Sequence, residues 1–230
     1  MFDIASFIQN VSIYAVPVLL AITFHEAAHG YVAHKKGDPT AFMLGRVTLN
    51  PLRHIDPIGT ILFPLMMLLM NTGIVFGWAK PVPVNFRLLR DQKWDPIYVA
   101  AAGVVTNLGL AAIAGAIFRL LLTLDPLLLA AAMGRDVGGD VASRVVTVPL
   151  ILMSLAFVRF NVLLAVFNMI PVPPLDGGRI AVGLLPYRAS MALASVERYG
   201  MLIVMALLMF GPRGIIWGTV HSISSFILGI

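Results

Sequence analysis

The sequence predicts an all-α polytopic membrane protein with about five to six membrane helices, one of them a candidate re-entrant segment, plus a short extended or β element. Three observations lead there. Of 230 residues, 59% are hydrophobic and only 12% charged, with a mean hydropathy of +0.92, far from the balance of soluble domains. The apolar residues gather into runs near the ~20 residues a bilayer-crossing helix needs. The charges collect in short loops between those runs. Residues 1–230 read as one membrane-embedded domain, with a core over 1–187 and a C-terminal membrane tail over 199–230.

The first span runs from about Ile8 to Ala33 and ends at the cluster His34, Lys35, Lys36, Gly37 and Asp38. The apolar stretch Val11 to Phe24 lacks a basic leader, which argues against a cleaved signal peptide. Gly45 to Asn50 and Gly77 to Phe86 are bounded by proline and glycine and read as extended segments. Between them lies the apolar run Ile58 to Phe76. Further spans cover roughly Ile97 to Leu122 and Val148 to Ile170. A helix over 179–198 reads as a cytoplasmic-side amphipathic or bundle helix. The tail from Tyr199 to Ile230 is apolar but broken at Gly211-Pro212-Arg213-Gly214.

Loop charge sets the expected orientation. Residues 34–54 carry four basic and one acidic side chain, residues 77–97 four and two, and residues 123–147 two and three. Placing both basic loops in the cytoplasm makes the run 58–76 enter and leave on one side, with Asn71 and Gly73 at its turn. A simple crossing is the alternative, and it would separate the end of the first span from the end of the Val148 to Ile170 span. Compact organisation favours a prokaryotic plasma membrane. The net charge of +5 is explained by loops beside spans, so nucleic acid is not an expected partner. With no cysteine in the chain, any metal must be held by His, Asp or Glu.

The chemistry starts with His25-Glu26-Ala27-Ala28-His29. Histidines at i and i+4 project from one helix face and can both reach one Zn2+ ion, while Glu26 stands one position round to handle water. An ionisable trio inside an apolar span is costly in lipid and marks a functional interior. At ~1.5 Å rise per residue from Lys35, His29 lies ~9 Å and His25 ~15 Å deep, which sets the active site toward the cytoplasmic side. A catalytic zinc ordinarily has three protein ligands, and Asp176 is the best candidate for the third. It sits in the stretch Asn168-Met169-Ile170-Pro171-Val172-Pro173-Pro174-Leu175-Asp176-Gly177-Gly178, a polar break that lipid tolerates only where it lines a cavity.

His-Glu-Ala-Ala-His in one span, with Asn-Met-Ile-Pro-Val-Pro-Pro-Leu-Asp-Gly-Gly closing a later one, resembles the site-2 protease family of intramembrane zinc metalloproteases, in its compact, core-only prokaryotic form. The resemblance implies that His25, His29 and Asp176 bind zinc, that Glu26 is the general base, and that Asn168 helps hold substrate or the oxyanion. Gly103-Val104-Val105-Thr106-Asn107 is similar to the family's GxxxN motif. Asn107 carries two readings, an oxyanion donor or a helix-packing contact.

The implied activity is hydrolysis of peptide bonds within or next to transmembrane segments of membrane proteins. A helical substrate hides its peptide bonds and must be held extended. In Trp78-Ala79-Lys80-Pro81-Val82-Pro83-Val84-Asn85 the alternating prolines leave one edge on which the N–H groups of Lys80, Val82 and Val84 can receive a substrate strand. His54 is expected to bond Asp56. A proton- or ion-coupled transporter built on the same His/Glu cluster is the rival; it predicts inverted repeats, and none is found.

Overall fold

The structure, a computed structural model, describes residues 4–70, 77–135 and 141–230. Among them there is no strand, and the regular elements are helical. Helix α1 (Ile4–Lys35) is followed by the short α2 (Thr40–Met43). A π-helical turn Pro57–Leu62 leads into α3 (Phe63–Leu69). The long α4 (Asp95–Leu124), the short α5 (Leu128–Ala132) and α6 (Val141–Asn168) complete the central bundle. After an irregular stretch come α7 (Asp176–Leu184), α8 (Tyr187–Ser195), α9 (Gly200–Phe210) and α10 (Arg213–Leu228).

Among the described residues, four helical stretches are long and apolar enough to cross a membrane: Val11–Lys35, Asp95–Leu124, Val145–Asn168 and Tyr187–Leu207. The first three are the expected spans to within a few residues. The fourth corrects an expectation. The segment 179–198 is not one helix, because Leu185 is extended and Pro186 interrupts the ladder, so α7 stops there and the apolar stretch begins again at Tyr187. The expected interruption of the tail at Gly211-Pro212 is present between α9 and α10. The expected turn at Asn71 and Gly73 lies outside the described residues, and the helix preceding it runs to Leu69.

Helices α1, α4 and α6 pack on one another, with α10 against α4 and α6. The contact faces are built from small residues that let backbones approach: Ala21, Ala27 and Ala33 of α1, Ala100, Ala111 and Ala114 of α4, and Ala156 and Ala165 of α6 are all buried. One buried cluster of the bundle is built from Phe118, Ile151, Val158 and Val162, closed by Val220 and Leu228 of α10. Large apolar side chains on the outside, Ile113, Ile117 and Leu120 among them, suit contact with lipid.

The expected extended element is neither helix nor strand over 77–85, and it is held along its length. Trp78 donates its N–H to the Gly59 carbonyl at 3.0 Å and accepts from the Thr60 hydroxyl at 2.8 Å. Arg46, buried to 8% exposure, reaches the Lys80 carbonyl at 2.7 Å. Asn85 donates to the Asp38 carboxylate at 2.6 Å. Asp38 also caps Thr40 just beyond the end of α1, so the segment is tied to the helix that carries the histidines.

Candidate metal centre

Three helices bring His25, His29 and Asp176 together. The two histidines lie one turn apart on α1, with ring centroids 4.6 Å apart and nearly perpendicular. Their Nε2 atoms are 3.0 Å apart. Asp176, the first residue of α7, places Oδ2 3.3 Å from His25 Nε2 and 3.4 Å from His29 Nε2. The third helix, α4, supplies the floor and the outer hydrogen bonds.

The floor is Gly103. A Cβ there would lie 2.5 Å from His25 Cε1 and 2.6 Å from His29 Nε2, so only glycine lets the α4 backbone lie against both rings. Asp176 depends on a similar closeness. A Cβ on Gly178 would fall 2.2 Å from the Pro173 nitrogen, which is how the start of α7 folds back onto the proline-rich turn that follows α6. The Pro173–Pro174 bond in that turn is cis.

The outer hydrogen bonds fix the ring tautomers. His29 Nδ1 lies 2.7 Å from the Val99 carbonyl, which can only accept, so Nδ1 carries the proton. His25 Nδ1 donates likewise to Asn107 Oδ1 at 2.6 Å. Both Nε2 lone pairs therefore face a carboxylate oxygen that has no hydrogen-bond partner and is shut off from solvent. Three converging electron-pair donors repel one another unless a cation or an extra proton sits among them. Ligands of a tetrahedral zinc at ~2.0–2.2 Å stand about 3.3–3.5 Å apart, close to the 3.0, 3.3 and 3.4 Å seen here. The donor set fits zinc.

The remaining predicted residues lie as follows. Glu26 is half-buried, and its Oε2 accepts the Val82 N–H at 2.7 Å. Asn107, fully buried, spends its carbonyl on His25 and its amide on the Ala21 carbonyl at 3.2 Å and Asn161 Oδ1 at 2.8 Å. That leaves it no N–H for an oxyanion; its contacts are those of a second-layer partner of His25. Asn168 donates to the Leu164 carbonyl of its own helix at 3.0 Å. The free edge expected over Lys80, Val82 and Val84 differs in this structure. The Lys80 N–H already meets the His54 carbonyl at 3.0 Å and that of Val82 meets Glu26. Only Val84 keeps its N–H without a partner among the described residues. His54 bonds the Thr48 carbonyl through Nε2 at 2.9 Å, while Asp56 instead caps Ile58 and Gly59. Asn161 escaped the sequence reading. Its only signal is a polar amide inside the apolar run of α6.

Comparison with known proteins matches residues 13–211 to peptidase family M50. A Bacillus subtilis (strain 168) protein named "Putative zinc metalloprotease YwhC" is 35% identical over 192 residues, covering 84% of this chain and 78% of its own. The Mycolicibacterium smegmatis protein named "Putative zinc metalloprotease Rip2" is 28% identical over 193 residues, covering 83% of this chain and 64% of its own. No solved structure matches. The matched region takes in both the turn of α1 that carries the histidines and the start of α7 that carries Asp176, and the chain belongs to peptidase family M50, the site-2 protease family of intramembrane zinc metalloproteases.

Proposed function

We propose that this zinc metallopeptidase hydrolyses peptide bonds within or next to transmembrane segments of membrane proteins, with His25, His29 and Asp176 holding the zinc and Glu26 as general base. The observation that carries the assignment is the convergence of two Nε2 lone pairs and one unpartnered carboxylate oxygen within 3.4 Å of each other.

Zinc held there supplies Lewis acidity, polarising a peptide carbonyl and acidifying water. Glu26 takes a proton from the attacking water and returns it to the leaving nitrogen. The Val82 N–H holds one of its oxygens, leaving the other for the water. Asn107 keeps His25 in the tautomer that presents Nε2. Asn168 retains a second amide N–H beyond its bond to Leu164, suited to a substrate carbonyl or a developing oxyanion. The segment 77–85 guides an extended substrate, with the Val84 N–H as its available donor.

The same reading takes 1–230 as one membrane-embedded unit, its active site toward the cytoplasmic face of a prokaryotic plasma membrane, in keeping with the basic loops beside α1 and α4. The test is zinc content and cleavage of transmembrane reporter peptides by the purified chain, Glu26→Gln and Asp176→Ala. About one zinc per chain, retained in Glu26→Gln with activity down by roughly 10²–10⁴, and weakened zinc in Asp176→Ala, are the expected results. Full zinc affinity in Asp176→Ala would remove it from the ligand set.

A further inference from the structure

We infer that Asn161 is a positioning residue for the zinc centre: acting through Asn107, it fixes which nitrogen of His25 carries the proton and so keeps Nε2 open to the metal. The inference rests on the ligand set proposed above and extends it by a residue three contacts from the metal.

An amide side chain has a donor end and an acceptor end, and a buried one is oriented by whichever partner can play only one part. For Asn161 that partner is the Phe157 carbonyl, one turn back on α6, which accepts from Nδ2 at 2.8 Å. Oδ1 of Asn161 must then face α4, where it accepts from Asn107 Nδ2 at 2.8 Å. Asn107 is thereby turned with its own Oδ1 toward His25, and Nδ1 of the ring, 2.6 Å away, must carry the proton. Polarity passes from a helix carbonyl through two amides to the imidazole, with Asn107 held in its sense from α6 by the shorter of its two donated bonds. The Ala21 carbonyl, at 3.2 Å, supports the same orientation of Asn107 from α1.

Simple interhelical glue would not need this order. Both asparagines are 0% exposed, inside three packed helices where no water can substitute. With the amide of Asn107 reversed, its NH₂ would face His25, Nδ1 would have to accept, and the proton would move to Nε2, where it competes with the metal. Histidine ligands to metals commonly depend on such outer partners, whose loss weakens metal binding about 10- to 100-fold.

The experiment uses the full chain in nanodiscs. Zinc affinity is read by chelator competition, and the tautomer of His25 by ¹⁵N NMR of histidine-labelled, metal-free protein. Asn161→Leu should weaken zinc binding about tenfold and shift the His25 signals away from the Nδ1–H form. Asn161→Asp, which when protonated can still donate to Phe157 and accept from Asn107, should recover most of the affinity. Asn107→Leu combined with Asn161→Leu should bind zinc no worse than Asn107→Leu alone, because Asn161 acts only through Asn107. If Asn161→Leu does not fold, Asn161→Ser takes its place, since a serine can bond the Phe157 carbonyl but is too short to reach Asn107. Parent-like zinc affinity and tautomer in the Leu or Ser variant, or fully additive losses in the double variant, would overturn the inference alone. Absence of zinc binding by the parent chain would overturn the ligand set and the inference together.

Discussion

The backbone N–H of Val82 donates to the Glu26 carboxylate at 2.7 Å, joining an irregular segment to α1 across 56 positions of sequence. The side chain of Val82 is also buried, at 8% exposure, where its Cγ1 would lie 3.0 Å from a Cβ added to Gly30. The proposed general base is thus oriented by the segment proposed to guide the substrate, and a change in one is felt in the other.

Val82→Pro deletes that donor and nothing else polar. A hydrogen bond to a charged group contributes about 1.5–3 kcal/mol, so turnover of a transmembrane reporter should fall about 10- to 100-fold while zinc stays at about one per chain. Steady-state kinetics beside metal analysis decides it. Unchanged turnover would mean that the contact does not persist in the reacting complex.

Gly103→Ala sets a methyl group into both imidazoles. Zinc content and proteolysis should both drop sharply, although alanine is the better helix former by about 1 kcal/mol. Gly109→Ala is the matched control in the same helix, because a Cβ there meets nothing within 4 Å. It should leave zinc unchanged and thermal stability equal or slightly higher. Equal zinc in the two variants would argue against a fixed approach of α4 to the rings.

Arg46→Met keeps the buried stem but removes the bond to the Lys80 carbonyl. The segment 77–85 should loosen, raising KM for a transmembrane reporter more than it lowers kcat. Proteinase K should nick the segment faster, as followed by mass spectrometry. A variant equally resistant to nicking would show that the ties at Trp78, Val82 and Asn85 suffice.

Zinc affinity should decline as the medium becomes acid. With both Nδ1 atoms already protonated, any further proton on His25 or His29 goes to Nε2, where it displaces the metal. Chelator competition at pH 7.5 and pH 5.5 measures it; the same affinity at both would contradict Nε2 ligation.

Local pattern carried much of this protein. The apolar runs marked the first three spanning helices because lipid demands ~20 consecutive apolar residues whatever the neighbours do. The i, i+4 spacing placed His25 and His29 on one face because helix geometry alone dictates it. Asp176 was legible as a polar break that a bilayer would not tolerate without purpose. The end of the helix expected over 179–198 was misread because the brief extended break at Leu185-Pro186 is weak beside the apolar pattern on either side.

What only the tertiary structure decided was which polar groups meet. The lines Phe157–Asn161–Asn107–His25 and Val82–Glu26 cross between elements separated by 54 to 82 positions, and no residue spacing encodes such a pairing. A hydrogen bond has a sense as well as a partner, and that sense is fixed only when packing removes water and leaves each amide a single neighbour able to accept. Sequence therefore determined the long apolar helices and the residue types able to hold a metal. Folding determined the tautomers, the orientation of Glu26, and the use of the Lys80 and Val82 N–H groups within the chain itself.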